Sequence, residues 1–191
     1  MKRLIIAAAV GALFSGAVFA QQGTVQRDVN QQNRIEQGLQ SGQLNTKEAS
    51  KLEGEEAHIQ REQSRELKNG NLSPAEKARL TRDQNQASRD INRLDNNKAT
   101  GNPNSASSQR MQADVQRNAN QQARIEQGLK SGSMTNREAG RAERGQARVD
   151  HAEAKAGRDG HVIAAEQRHV QTAENKQSSR IYREKHNAAT K

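Results

Sequence analysis

The chain has no cysteine and no tryptophan, and only two prolines, two phenylalanines and one tyrosine. Each shortage excludes something. Without a thiol there is no disulfide staple, no cysteine nucleophile and no N-terminal cysteine to carry a lipid anchor. Phe14 and Phe19 lie in the N-terminal apolar stretch, so beyond it Tyr182 is the one aromatic side chain. That removes the stacking platforms on which single strands are held. With no recognised motif either, nucleic acid is not an expected partner. Histidines stand at 58, 151, 161, 169 and 186. His161 and His169, eight residues apart, would lie about 12 Å apart along a helix, too far to share one ion.

Long apolar runs are also missing, except at the start. MKRLIIAAAVGALFSGAVFA carries a positive n-region (Lys2, Arg3) and a short apolar h-region (Leu4 to Phe14), with Val18 and Ala20 at the cleavage positions. This reads as a signal peptide over residues 1–20 and not as a membrane anchor. Export to the periplasm or beyond follows. Removing it lowers the formal net charge of +9 by two.

The remainder is rich in Gln, Asn, Ala, Arg, Lys and Glu, mostly good helix formers. An all-α fold is expected, with solvated helices, thin apolar seams and marginal stability. Apolar residues recur at helical spacing in three segments: Val25, Val29, Ile35 and Leu39; then Ala49, Leu52, Ile59 and Leu67; then Leu80, Ala87, Ile91 and Leu94. Glu56 and Gln63 fall in heptad-like slots of the second and interrupt its stripe.

Between the helices one turn recurs, as SGQLNTKEASKL, NGNLSPAEKARL, SGSMTNREAGRA and DGHVIAAEQRHV. Gly42, Gly70, Gly132 and Gly160 are placed to close a helix in the left-handed conformation. Asn45, Ser73 and Thr135 are N-caps, and Glu48, Glu76 and Glu138 three residues later complete capping boxes. Pro74 suits the first helical position. The register repeats at an offset of ninety, with roughly a third of paired positions identical, which indicates internal duplication. Two tandem three-helix units are expected, over 25–95 and 115–187, joined by a linker over 96–114 where Asn, Gly, Pro and Ser crowd together. The second is expected to be the weaker folder. Its apolar residues are smaller, Ile163 stands where Ser73 capped, and Gly140, Gly145 and Gly157 would each cost about 1 kcal/mol against Ala inside a helix.

The turn also matches the second half of an EF-hand loop, with Gly at position six, an apolar residue at eight and Glu at twelve. The first half does not match. Position one holds Gln37, Arg65, Gln127 and Lys155 where an Asp is needed. Only the last turn offers a second carboxylate, so Asp159 and Glu166 are the first candidates if calcium binds. No other metal, no cofactor and no catalytic residue is expected. Adjacent carboxylates such as Glu55 and Glu56 do not face each other on a helix. So small a core leaves little means of excluding water or shifting a pKa. Basic excess gathers late: 13 Lys or Arg against 12 Asp or Glu over 26–100, and 14 against 9 over 116–190. An anionic envelope component is one partner this suits, and another envelope protein is a second.

RIEQGLQSGQLNTKEASKL, NGNLSPAEKARL and the tail SSRIYREKHN resemble a group of small exported helical proteins of Gram-negative bacteria. The pattern is Ile-x-x-Gly, Ser-Gly-x-Leu-Thr-x-x-Glu-Ala, Asp-Gly-x-Leu-Thr-x-x-Glu and Ser-x-x-Ile-Tyr-x-x-Lys-His-Asn. The resemblance implies periplasmic location and a helical fold, and carries over no functional residues. The reading is an exported, non-catalytic helical repeat protein, a binding or structural component of the periplasm. Its alternatives are a calcium-responsive EF-hand derivative and a periplasmic stress chaperone.

Overall fold

The structure, a computed structural model, describes residues 15–69 and 72–187. Those residues form six helices and no strand: α1 (Ser15–Ser41), α2 (Thr46–Glu66), α3 (Pro74–Asp95), α4 (Ala106–Lys130), α5 (Asn136–Ala156) and α6 (Ala164–His186). A single 3-10 turn, Leu67–Asn69, follows α2. The all-α expectation holds. Residues 1–14, most of the expected signal, lie outside the described residues, as does Gly70. No helix among the described residues is long and apolar enough to cross a membrane.

The turns form as the local sequence dictates. Gly42, Gly132 and Gly160 take φ of 77°, 69° and 92°. After Gly42 the chain folds back so that the Leu44 N–H donates to the Gly38 carbonyl at 2.9 Å; Met134 does the same to Gly128 at 3.0 Å. A Cβ on Gly38 or Gly128 would collide with the Leu44 or Met134 side chain. This accounts for the glycine of the Ile-x-x-Gly pattern. One boundary differs from expectation: α4 begins at Ala106, inside the stretch read as linker. Ser105 caps it, accepting from the Ser108 N–H at 3.1 Å. Met111 and Val115 then give the new helix a buried face. The Ser-rich segment was cap and first turn as well as loop.

The four central helices, α1, α2, α4 and α5, find their main partners far away in sequence. α2 runs antiparallel along α5. Near one end Ser50 donates to the Ala154 carbonyl at 2.8 Å; near the other, Arg144 Nε donates to Ser64 Oγ at 3.2 Å. α1 runs antiparallel along α4, with Gln26 against Lys130 and Asp28 against Gln122. α3 covers α1 and α2, and α6 covers α4 and α5. The core divides accordingly. One apolar cluster holds Ile35, Leu39, Leu44, Leu52 and Ile91 together with Met111, Val115, Val162 and Val170. A second joins Val25 and Leu67 to Ile125, Leu129, Met134, Ala142 and Ile181, and a third, smaller one holds Ile59, Leu80 and Ala87 between α2 and α3. Every apolar residue expected on α1, α2 and α3 is buried. Tyr182 is not: it is 59 % exposed, its ring stacked on His186 at 4.1 Å.

Gly140 within α5 and Gly157, which caps its C-terminus, lie at contacts. A Cβ on Gly140 would sit 2.7 Å from the Leu67 Cβ, and one on Gly157 would sit 2.9 Å from the Ser50 Cβ. The expected penalty in helix propensity is therefore exchanged for close approach of the helices. Gly54 is different, since a Cβ there would meet Ala154 at an ordinary 3.7 Å. Two substitutions separate these effects in thermal melts. Gly54→Ala should raise the melting temperature by about 2–4 °C through propensity alone. Gly140→Ala should lower it by a similar amount, because overpacking of about 1–3 kcal/mol exceeds the propensity gain.

Candidate functional site

Between the two larger apolar clusters the four central helices are polar. On α2, Glu53, Glu56, Gln60 and Gln63 follow spacings of three and four and so share one face. All four lie between Leu52 of one cluster and Leu67 of the other. Glu143, Gln146, Asp150 and Glu153 occupy the corresponding face of α5. Asp28 and Gln32 on α1 and Asn118 and Gln122 on α4 complete the layer. These twelve side chains are at most 1 % exposed. The slots read from the sequence as interruptions are the centre of the molecule.

Amides meet five of the six carboxyl groups; Glu56 has no such partner. Gln63 Nε2 donates to Asp28 Oδ2 at 2.7 Å, and Gln84 Nε2 donates to Asp28 Oδ1 at 2.6 Å. Gln32 Nε2 donates to Glu53 Oε2 at 3.0 Å, and Gln122 Nε2 to Glu143 Oε1 at 3.0 Å. Asn118 Nδ2 faces three acceptors: Asp150 Oδ1 at 2.6 Å, Glu153 Oε2 at 2.9 Å and Glu53 Oε2 at 3.3 Å. The Asp28–Gln63 contact recurs ninety residues on as Glu153–Asn118, with donor and acceptor exchanged. The Gln32–Glu53 contact recurs unchanged as Gln122–Glu143.

Six carboxyl groups thus share an interior sealed from bulk solvent, in which no Lys, Arg or His is buried among the described residues. Burial pushes Asp28 up to about 7, against the pull of Gln84, Gln63 and Arg27. Glu53, Glu56, Glu143, Asp150 and Glu153 are all pushed well above the carboxylate range, burial first and neighbouring carboxylates after it. At the rim, burial raises Glu174 to about 8 although Arg117 Nη1 lies 3.1 Å from its Oε2. Charge of one sign at this density is too costly to keep uncompensated; protons or a cation must offset it. The premise that this chain has no means of shifting a pKa is corrected by its polar core.

The residues singled out in the sequence lie elsewhere and have other partners. Glu48 Oε2 accepts from the Asn45 N–H at 3.1 Å and Glu76 Oε2 from the Ser73 N–H at 2.8 Å. Glu138 Oε2 accepts from the Thr135 N–H at 2.8 Å, and all three boxes are reciprocal. Asp159 Oδ1 accepts from the His161 N–H at 2.9 Å and Glu166 Oε2 from the Ile163 N–H at 3.0 Å. The glutamates at loop position twelve therefore serve as helix caps. The interior layer was missed. Its signal was the exchange of acid for amide at paired positions: Asp28 with Asn118, Glu56 with Gln146 and Gln63 with Glu153, each of equal size, and Gln60 with the shorter Asp150.

No family model, no curated protein and no solved structure matches the chain.

The layer predicts an unusual pH dependence. Each raised carboxyl contributes its full stability below about pH 4, its unfolded value, and loses it as pH rises through the folded one. For Asp28 that window closes at about 7 and for Glu174 at about 8. In chelator, the melting temperature should fall by about 10 °C or more between pH 5 and pH 8. Glu56→Gln should flatten that slope, because it removes one carboxyl that Asp28 and Asp150 repel. A stability that rises across this interval would contradict the assignment.

Proposed function

We propose that this is an exported, non-catalytic helical repeat protein of the periplasm that binds an anionic component of the envelope. It consists of two three-helix units, α1–α3 and α4–α6, which arose by duplication and pack as a pseudo-symmetric pair. The offset of ninety supports this division, because the contacts recur with it. Leu67 against Gly140 answers Gly157 against Ser50, and Gln31 donating to the Gln84 carbonyl answers Gln121 donating to that of Glu174. The signal-like N-terminus and the resemblance to exported helical proteins support the location.

One observation carries the binding role. Arg137, Arg141, Arg144 and Arg148 form a row along α5, and Lys176, Arg180 and Arg183 extend it on α6. Of these seven cations only Arg141 has an ion pair among the described residues, to Glu184 at 3.8 Å. Two shallow grooves follow the row. One is lined by Ser64, Lys68, Arg137, Arg141 and Arg144 over Gly140, the other by Arg148, His169, Lys176 and Arg180 beside Gly145. The acids that would balance these cations lie inside, so the surface presents cations to phosphate or carboxylate groups. No nucleophile with an activating base lines either groove, which favours binding over catalysis.

Two measurements test this. Cell fractionation and N-terminal sequencing should find the protein in the periplasm, beginning at Gln21. Co-sedimentation should show binding to phosphatidylglycerol vesicles and not to phosphatidylcholine, with loss at about 0.5 M salt. Replacing Arg137, Arg148, Lys176 and Arg183 together by Gln should weaken it at least tenfold. Equal binding to both vesicles, or no binding to either, would overturn the reading.

A further inference from the structure

The interior of the central four helices holds carboxylate oxygens that no amide serves, although the buried Gln60 amide is itself unpaired, and these oxygens are concentrated at one place. Carboxylate oxygens of Glu53, Asp150 and Glu153 lie within 4.8 Å of one another. Asn118 serves all three with a single –NH2 group, which has two hydrogens for three acceptors. Glu53 Oε1, Asp150 Oδ2 and Glu153 Oε1 accept from no N–H, and the Glu53 and Glu153 carboxyls stand close enough to share one proton.

A second feature points to a ligand independently of that cluster. Glu56, one turn along α2 from Glu53, is wholly buried, and neither of its carboxylate oxygens has a partner. Asp28 and Asp150 are the strongest charges acting on it. Protonation alone would leave Glu56 with a buried O–H that donates to nothing, which is itself unfavourable. Gln32 adds to the imbalance. Its Nε2 is used on Glu53, while its carbonyl Oε1 is buried and free. A centre that accepts several oxygens at once would satisfy these groups together.

We propose that this layer binds a divalent hard cation, calcium in the first instance, with Glu53, Asp150 and Glu153 as direct ligands and Glu56 drawn in as the fourth. The donor set is all oxygen, which selects calcium, magnesium or manganese over the softer metals. Calcium keeps its oxygens about 2.3–2.6 Å away, so two of them stand up to about 5 Å apart, and the three carboxylates meet this spacing where they are. For Asn118 to present Oδ1 to the same point, its amide must turn over and give up the hydrogen bond it accepts from Gln146 Nε2. The ligands come from α2 and α5, so the ion ties together the two helices that form the longest contact in the molecule. The site is separate from the turn of Asp159 and Glu166, and it does not depend on the anion-binding role of the surface.

Equilibrium dialysis of the purified full chain against about 1 mM calcium, with metal analysis of both compartments, tests the site. About one ion per chain should be bound. The melting temperature at pH 7.5 should rise by about 5 °C or more over that in chelator. Glu153→Gln and Asp150→Asn should each abolish the bound calcium and the shift. Both should remain folded without metal, since Gln63 and Gln60 already place amides at the corresponding positions of α2. Asp159→Asn should leave both readings intact. No bound calcium and no shift in the unsubstituted chain would overturn the proposal. So would calcium that survives both interior substitutions, or calcium lost with Asp159→Asn.

Discussion

The hydrogen bond from an amide to a buried carboxyl is the interaction on which this fold depends. The two larger of the three apolar clusters lie at the ends of the central helices. Between them the helices touch through Gln, Asn, Asp and Glu. Such bonds contribute little net stability when made, about 1 kcal/mol each, and cost more when broken in a dry interior. Their effect is to exclude alternatives. A slip of α2 by one turn would separate Gln63 from Asp28 and leave Glu53 without the amide of Gln32. The apolar clusters hold the helices together, and the layer between them determines which residues face which.

The arrangement gives a physical reason for the exchange of acid and amide between the two halves. With aspartate at both 28 and 118, and glutamate at both 56 and 146, the interior would hold acceptors with too few donors. With amides throughout, it would hold no group able to take up a proton or a cation. The chain carries one of each at four paired positions, so every inner acid except Glu56 finds an N–H. The oxygens left without one are grouped at Glu53, Glu56, Asp150 and Glu153. Interior and surface are linked through the same bookkeeping of charge. Each inner carboxyl that holds a proton leaves the molecule one unit more positive than its formal +9, and the cations of α5 and α6 are where that excess is presented.

What was legible in the sequence was local. Gly42, Asn45 and Glu48 fall within seven residues, and their joint meaning as stop, cap and box needs no knowledge of the rest of the chain. The same holds at Gly132, Thr135 and Glu138. The apolar positions of α1, α2 and α3 were legible by spacing. Pairing of α2 with α5 was not, because a hundred residues separate Ser50 from Ala154 and short connections favour neighbours within one unit. Glu56 and Gln63 misled for a related reason. A charged or amide side chain in a heptad slot reads as a break in an apolar stripe, and only the facing helix shows that the slot is sealed. Gly140 and Gly157 misled because propensity is a property of one helix and close approach a property of two. Ser105 was hidden in a run of small polar residues whose role as cap becomes visible only once Met111 and Val115 are seen to be buried.

The central claim is that six interior carboxyls do not ionise like those on the surface, and carbon-13 NMR of the carboxyl groups tests it most directly. The full chain, labelled and kept in chelator, would be titrated from pH 3 to pH 8. The account predicts two populations. Exposed carboxyls should titrate near about 4, while Asp28 should keep its protonated shift to about 7 and its interior neighbours theirs well above the ordinary carboxylate range. A single population that titrates near the ordinary carboxylate values, with the helices intact, would contradict it.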